Sequence, residues 1–186
     1  SNWIINRSLF EIEKIFCLKG QKFANQTHVF ISGLPRSGTT SLLNFIYASD
    51  EFASLTYKNM PFVLSPNFSK LLNKKNVVKK ERWHQDAIFF DMDSPEAFDE
   101  VFFNNSEDFI RDELTKYIDL VLAAAGKGRY LSKNNLNYRR LHLIRSLLPN
   151  AVFLIPVREP LQQAYSLMHQ HKRFCQLQRE DDFIRR

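Results

Sequence analysis

The chain has 186 residues, 44% hydrophobic and 13% aromatic, enough to enclose the core of one domain over residues 1–186. Its 17 Phe against 5 Gly exclude a disordered or fibrous chain. The net charge of +6, with a pI near 9.4, suits an anionic ligand, but the basic residues are scattered and match no nucleic-acid-binding motif.

No run approaches the roughly 20 apolar residues of a membrane span, and no signal peptide opens the chain, which predicts a cytoplasmic protein. Cys17 and Cys175 are far apart and lack metal-type spacing, so buried thiols are expected rather than a disulfide or a zinc site.

In chain order, Ile4, Ile5, Leu9, Ile12 and Phe16 recur at helical spacing and predict an amphipathic helix over 3–20, ending near Gly20. A polar loop over 21–27 leads to a strand over 28–32, carrying Val29-Phe30-Ile31. Then comes the glycine-bounded stretch Gly33-Leu34-Pro35-Arg36-Ser37-Gly38-Thr39-Thr40, and a helix over 39–48. Strand, glycine loop and helix together form a phosphate cradle: loop amides point inward and the helix N-terminus adds positive potential. Gly33 and Gly38 match the spacing of G-x-x-x-x-G-K-[ST], with Thr39 where that formula has lysine and Arg36 supplying charge inside the loop.

Further on, a short strand is expected at 53–57 and a helix over 60–72 interrupted by Pro66. Lys74, Lys75, Lys79, Lys80 and Arg82 make an exposed basic loop. Ser94 as N-cap, Pro95 at the first helical position and Glu96 in the first turn predict a helix to about Phe103. Ser106 caps another through Ala125, whose apolar face is Phe109, Leu114, Tyr117, Ile118, Val121 and Leu122; Gly126 and Gly128 end it. A strand at 129–132, a loop at Lys133-Asn134-Asn135, a helix over 137–148, a buried strand over 151–157 and a helix from Pro160 to about 174 complete the chain. Strands alternating with helices predict a parallel sheet with crossovers. Ligands then sit beyond the C-terminal strand ends, where Gly33, Lys133 and Arg158 fall.

The segment Leu34-Pro35-Arg36-Ser37-Gly38-Thr39-Thr40 resembles the 5′-phosphosulfate loop, P-[KR]-S-G-T-T, of sulfotransferases. Those enzymes move a sulfuryl group from 3′-phosphoadenosine 5′-phosphosulfate (PAPS) to an acceptor, leaving PAP. Their second motif is an arginine at a strand end and a serine eight residues later, matched by Arg158 after Val152-Phe153-Leu154-Ile155-Pro156-Val157 and by Ser166. The resemblance runs from Val29 to about Arg173 and implies an α/β fold, P-loop NTPase-like, in three layers with a central parallel sheet flanked by helices.

It also implies roles. Leu34, Pro35, Arg36, Ser37, Gly38, Thr39 and Thr40 would hold the 5′-phosphosulfate, and Arg158 and Ser166 the 3′-phosphate. Arg36 replaces the lysine of many cytosolic members; it would stabilise leaving-group charge, but a guanidinium does not readily donate a proton. Ser132-Lys133-Asn134-Asn135 resembles an N-K-D-P-like segment, which makes Lys133 a contact to bridging or sulfuryl oxygens. Arg82-Trp83-His84-Gln85-Asp86 resembles an E-R-x-H-x-D segment of a bacterial subfamily, which makes His84 the general base, with Asp86 orienting it or serving instead. Protein-tyrosine members use a glutamate shortly after the first helix, and Glu51 lies in that vicinity. His142, His169 and His171 read as ordinary helix-face residues.

The expected partner is a small-molecule, carbohydrate or peptide hydroxyl acceptor, with no nucleic acid, no metal and no membrane span. The resemblance also implies a C-terminal segment that closes over the 3′-phosphate and acceptor, and that segment is not expected within residues 179–186. Two alternatives stand beside this reading. One is a P-loop kinase using Asp91 or Asp93, after Ile88-Phe89-Phe90, for magnesium; the other is a catalytically silent nucleotide-binding protein of the same fold.

Overall fold

Strand β1 (Val29–Ile31) is buried along its whole length and lies between two parallel neighbours, β5 (Arg129–Lys133) and β6 (Val152–Leu154). The computed structural model describes residues 2–18, 25–60, 62–72, 80–81 and 89–180. Its main sheet has four strands, all parallel, in the order β2-β5-β1-β6, with β2 (Phe52–Ala53) paired to β5 at one edge. A separate antiparallel pair, β3 (Lys80–Glu81) and β4 (Phe89–Phe90), stands apart from it.

Side chains alternate along a strand, and here the alternation sorts two cores. Val29 and Ile31, with Leu131, Phe52 and Leu154, face α2 (Thr39–Tyr47), which contributes Leu43. Phe30, Tyr130, Ala53 and Phe153 face the opposite layer, built on α5 (Glu107–Ala125) and α6 (Leu141–Leu147). Helices thus flank the sheet on both faces, as expected. Helix α5 buries Leu114, Tyr117, Ile118, Val121 and Leu122, starts at a Ser106 cap accepting from Phe109 N at 3.4 Å, and ends on Gly126 at φ 68°. Each fully buried aromatic or aliphatic side chain of this layer stabilises the fold by about 1.5–3 kcal/mol. No described helix is long and apolar enough to cross a membrane.

Several sequence expectations are corrected. The first helix, α1 (Asn2–Cys17), stops before Gly20 and turns a different face inward: Ile4, Ile5, Ile12 and Phe16 are exposed, while Phe10 and Glu13 are buried. Phe10 packs edge-on to Phe102 and Tyr117. Glu13 accepts from the amides of Asn67 and Phe68 at 2.9 and 3.1 Å, capping α3 (Pro66–Leu72). Pro66 therefore opens a helix rather than interrupting one, as its missing N–H allows. The edge strand β2 is shorter than 53–57.

Ser94-Pro95-Glu96 starts no helix. Pro95 forms a β-bridge with Thr56 and the Glu96 amide donates to Leu55 O at 3.0 Å; helix α4 (Glu100–Phe103) begins later. Residues Asn135–Arg140 are a 3-10 turn before α6. Strand β6 ends at Leu154 and is an edge, with Val152 exposed, instead of a buried strand to 157; α7 (Pro160–Glu180) outruns its expected end. Cys17 and Cys175 are free thiols, as expected, but half-buried. The basic segment at Lys74, Lys75, Lys79 and Arg82 lies outside the described residues, as do the side chain of Lys80 and the whole of His84 and Asp86.

Candidate active site

The loop between β1 and α2 is held at both shoulders. Ser32 N donates to Leu154 O at 3.0 Å, which extends the β1–β6 ladder to the edge of the loop, and Asn134 N donates to Ile31 O at 3.0 Å on the β5 side. Two residues take left-handed backbone conformations, Arg36 at φ 66° and Gly38 at φ 95°. At Gly38 this geometry favours glycine, and the residue is the N-cap of α2. At Gly33 the reason is space: an added Cβ would lie 3.0 Å from both Ser37 Oγ and Thr39 Cγ2.

Leu34, Pro35 and Gly38 are exposed, Arg36 and Thr40 half-buried, and Ser37 and Thr39 buried. Thr39 Oγ1 donates to Asn135 Oδ1 at 3.5 Å. Ser37 Oγ is buried with no hydrogen-bond partner among the described residues. An orphaned hydroxyl inside a loop opening on a helix N-terminus is an acceptor-seeking donor, and an anion satisfies it.

The second predicted pair comes to the same place. Arg36 Nε donates to Ser166 Oγ at 3.1 Å, and Arg158 Nη1 donates to the Arg36 carbonyl at 3.3 Å. Glu159 caps α7 by accepting from Leu161 N at 3.0 Å and Gln162 N at 2.7 Å; those backbone bonds, then Arg158, hold its carboxyl below the usual range. Gln163, which the sequence reading passed over, is buried in this exposed helix and donates Nε2 to Pro35 O at 2.9 Å. It ties α7 to the loop. Two adjoining clefts, of about 360 and 410 Å³, share Ser166 and His169; Arg36 and Arg173 line the first, Arg158 and Tyr165 the second. His169, expected as an ordinary helix-face residue, lines both, one turn beyond Ser166 and 4.4 Å from the Tyr165 ring centroid.

Lys133 closes β5, opposite Ile31 in the register and so just before the loop. Its Nζ lies 3.5 Å from Glu96 Oε1. Glu96 was expected in a helical first turn and not at the site; long-range contacts to Leu55 and Tyr57, with the Thr56–Pro95 bridge, bring it here. Behind Lys133, buried Asp99 accepts from Ser132 Oγ and, at 3.4 Å, from Tyr130 OH. Burial pushes the Asp99 carboxyl up, against the Ser132 hydrogen bond, and it pushes the Tyr130 and Tyr117 phenols well up.

Three sequence candidates do not join this group. Glu51 pairs with Arg129 at 3.2 Å, at the opposite end of β5 from Lys133. Four residue steps along the strand separate the two ends, about 13 Å. Asp91 accepts from Ser94 Oγ and Asp93 N, both at 2.9 Å, and Asp93 pairs with Lys58; they follow β4 of the small sheet, not a strand of the parallel one. The kinase-like disposition of a magnesium acid is therefore missing at these two positions.

A parallel sheet whose central strand runs through a glycine loop into a helix defines a P-loop-like α/β protein. The sequence profile of the sulfotransferase family matches residues 28–185. The chain belongs to the sulfotransferase family, transferases of sulfur-containing groups. Searches of curated proteins and of solved structures returned no significant match.

Proposed function

We propose that the protein transfers a sulfuryl group from PAPS to a hydroxyl acceptor, using the loop of residues 33–40 for the 5′-phosphosulfate and Arg158 with Ser166 for the 3′-phosphate. The observation that carries this is the convergence of Arg36, Ser166 and Arg158 through two hydrogen bonds at the C-terminal end of β1 and β6. Adjacent strands lie about 4.8 Å apart, so Arg158, after β6, and Lys133, at the end of β5, flank the loop. The buried, unpartnered Ser37 Oγ and the space at Gly33 suit a tetrahedral anion seated against the loop amides.

The donor supplies an activated sulfuryl group: its S–O bond to the 5′-phosphate breaks, the electron pair stays on the phosphate oxygen, and a new S–O bond forms to the acceptor oxygen. The protein's task is then positioning and charge stabilisation, as in phosphoryl transfer. Loop amides and the hydroxyls of Ser37, Thr39 and Thr40 orient the phosphosulfate. Arg36 turns from Ser166 toward the charge growing on the leaving oxygen, staying protonated throughout. Lys133 neutralises the sulfuryl oxygens from the other side. Arg158 and Ser166 hold the 3′-phosphate, each charged hydrogen bond contributing about 1.5–3 kcal/mol. His84, assigned from its local motif, takes the acceptor proton.

The test is transfer of ³⁵S from labelled PAPS to a panel of phenols, tyrosine peptides, sugars and alcohols, each with wild type, Arg36→Ala and Lys133→Ala. Label should move to at least one acceptor class and fall by about 10²–10³-fold in each variant, the usual loss for one charge-stabilising donor. PAP binding without transfer to any class would leave a nucleotide-binding protein of the same fold.

A further inference from the structure

Lys133 and Glu96 form an ion pair unlike the helix-surface pairs of this protein. Their side chains are 11% and 15% exposed, whereas Arg111 and Glu107 on α5 are 47% and 65% exposed. Exposed pairs of the second kind contribute little, while breaking a buried pair strands a charge.

Glu96 is fixed from several sides: Oε1 also accepts from Ala97 N at 3.0 Å, Oε2 accepts from Tyr57 OH at 3.4 Å, and its own amide is bonded to Leu55 O. Lys133 reaches it on a flexible four-carbon stem from the end of β5. The ammonium therefore stands between two anion stations. One is a fixed carboxylate on the β2 side of the sheet; the other is the anion cradle on the β1 side. If the ammonium leaves, Glu96 keeps the Tyr57 hydroxyl and the Ala97 amide as donors and is not stranded.

We propose that Glu96 is a positioning residue that holds the Lys133 ammonium at the rim of the site and yields it to the sulfuryl oxygens when the donor binds. This rests on the donor reading above. Glu96 competes with the sulfuryl group for one cation, so it lowers affinity for PAPS while keeping the lysine extended and charged beside the site. PAP lacks the sulfuryl oxygens assigned to Lys133, so its 5′-phosphate, held by the loop amides, draws the lysine less and PAP is less sensitive to the competition.

The experiment is calorimetric titration with PAP and with fresh PAPS, at low temperature and without acceptor. It uses wild type, Glu96→Gln, Lys133→Ala and the double variant. Glu96→Gln should tighten PAPS about 3–10-fold, the scale of a partly buried pair, and leave PAP within about 2-fold. In the Lys133→Ala background the same change should do nothing. A merely structural role for Glu96 would weaken both ligands together. An unchanged or lowered PAPS preference in Glu96→Gln, or a gain that survives without Lys133, overturns the proposal and leaves the donor reading intact. Failure of wild type to bind either nucleotide overturns the donor reading itself.

Tyr57→Phe supplies an independent arm should the glutamine variant not fold. With one fallback donor gone, Glu96 should grip Lys133 harder and weaken PAPS about 2–5-fold with PAP unchanged. No such loss overturns the proposal.

Discussion

Gly33→Ala tests the loop packing most sharply, because the perturbation is one methyl group and its surroundings are known. The new Cβ would meet Ser37 Oγ and Thr39 Cγ2 at 3.0 Å and Pro156 O at 3.4 Å. Ser37 can rotate its hydroxyl away, since that atom is bonded to nothing described. Thr39 cannot yield as cheaply: it is β-branched, sits in the first turn of α2 and reaches Asn135 through Oγ1. The backbone of the loop must therefore shift by a few tenths of an ångström. Overpacking of this kind costs about 1–3 kcal/mol. For a chain of this length that corresponds to a loss of about 2–12 °C in Tm.

The functional loss should be larger than the structural one, because under the proposed function the same shift moves the loop amides assigned to the anion. PAP affinity should fall at least about tenfold, the effect of misdirecting one charged hydrogen bond. Gly38→Ala is the control. It meets nothing within 4 Å, and its whole cost is the left-handed φ of 95°, about 1–2 kcal/mol. Thermal melts and PAP titration on both variants read these quantities. A Gly33→Ala protein with wild-type Tm and wild-type PAP affinity would refute the packing described for the loop.

Three further perturbations follow from the same structure. Glu13→Ala removes the buried carboxylate that caps α3 through Asn67 and Phe68, and should cost about 1.5–3 kcal/mol by urea unfolding, without changing PAP affinity; a loss under about 0.5 kcal/mol would contradict the cap. Gln163→Ala should weaken PAP about 3–10-fold by freeing α7 from the Pro35 carbonyl, and equal binding by the variant would deny that link any role. Asp99 has a carboxyl raised above its ordinary 3.8, chiefly by burial, so the folded protein retains this proton to higher pH than the unfolded chain does. Its contribution to stability is full below 3.8 and is lost as pH rises through the raised value. The unfolding free energy of wild type minus that of Asp99→Asn should decline over that window and then level off; parallel pH profiles would contradict the assignment.

What could be read from the amino acids was what is local. The loop, its strand and its helix lie within 20 residues, and each signal there is a spacing or a cap that short-range sterics enforce. Arg158 and Ser166 stand out through the family resemblance; their placement, four residues beyond β6 and two turns into α7, again follows from local strand and helix signals. Contacts made across the chain were not. Ser94-Pro95-Glu96 carries a genuine helix-start pattern, yet Thr56 bridges Pro95 and Leu55 captures the Glu96 amide, so the segment becomes the arm that delivers Glu96 to Lys133.

Hydropathy likewise chose the isoleucine face of α1. The buried face is set instead by Phe10 in an aromatic cluster and by Glu13 serving another helix, a polar residue that no periodicity marks as interior. Gln163 belongs to the same class: a buried amide whose partner is a loop carbonyl 128 residues earlier.

The most direct test of the central claim is calorimetric titration with PAP and with 5′-AMP, which differ only in the 3′-phosphate, on wild type and Arg158→Ala. The account predicts that wild type prefers PAP by about 10–150-fold, the equivalent of one charged hydrogen bond of 1.5–3 kcal/mol, and that Arg158→Ala reduces most of this preference while still binding 5′-AMP. Equal affinity for the two nucleotides, or a preference that Arg158→Ala leaves untouched, would contradict the assignment of this site to the donor.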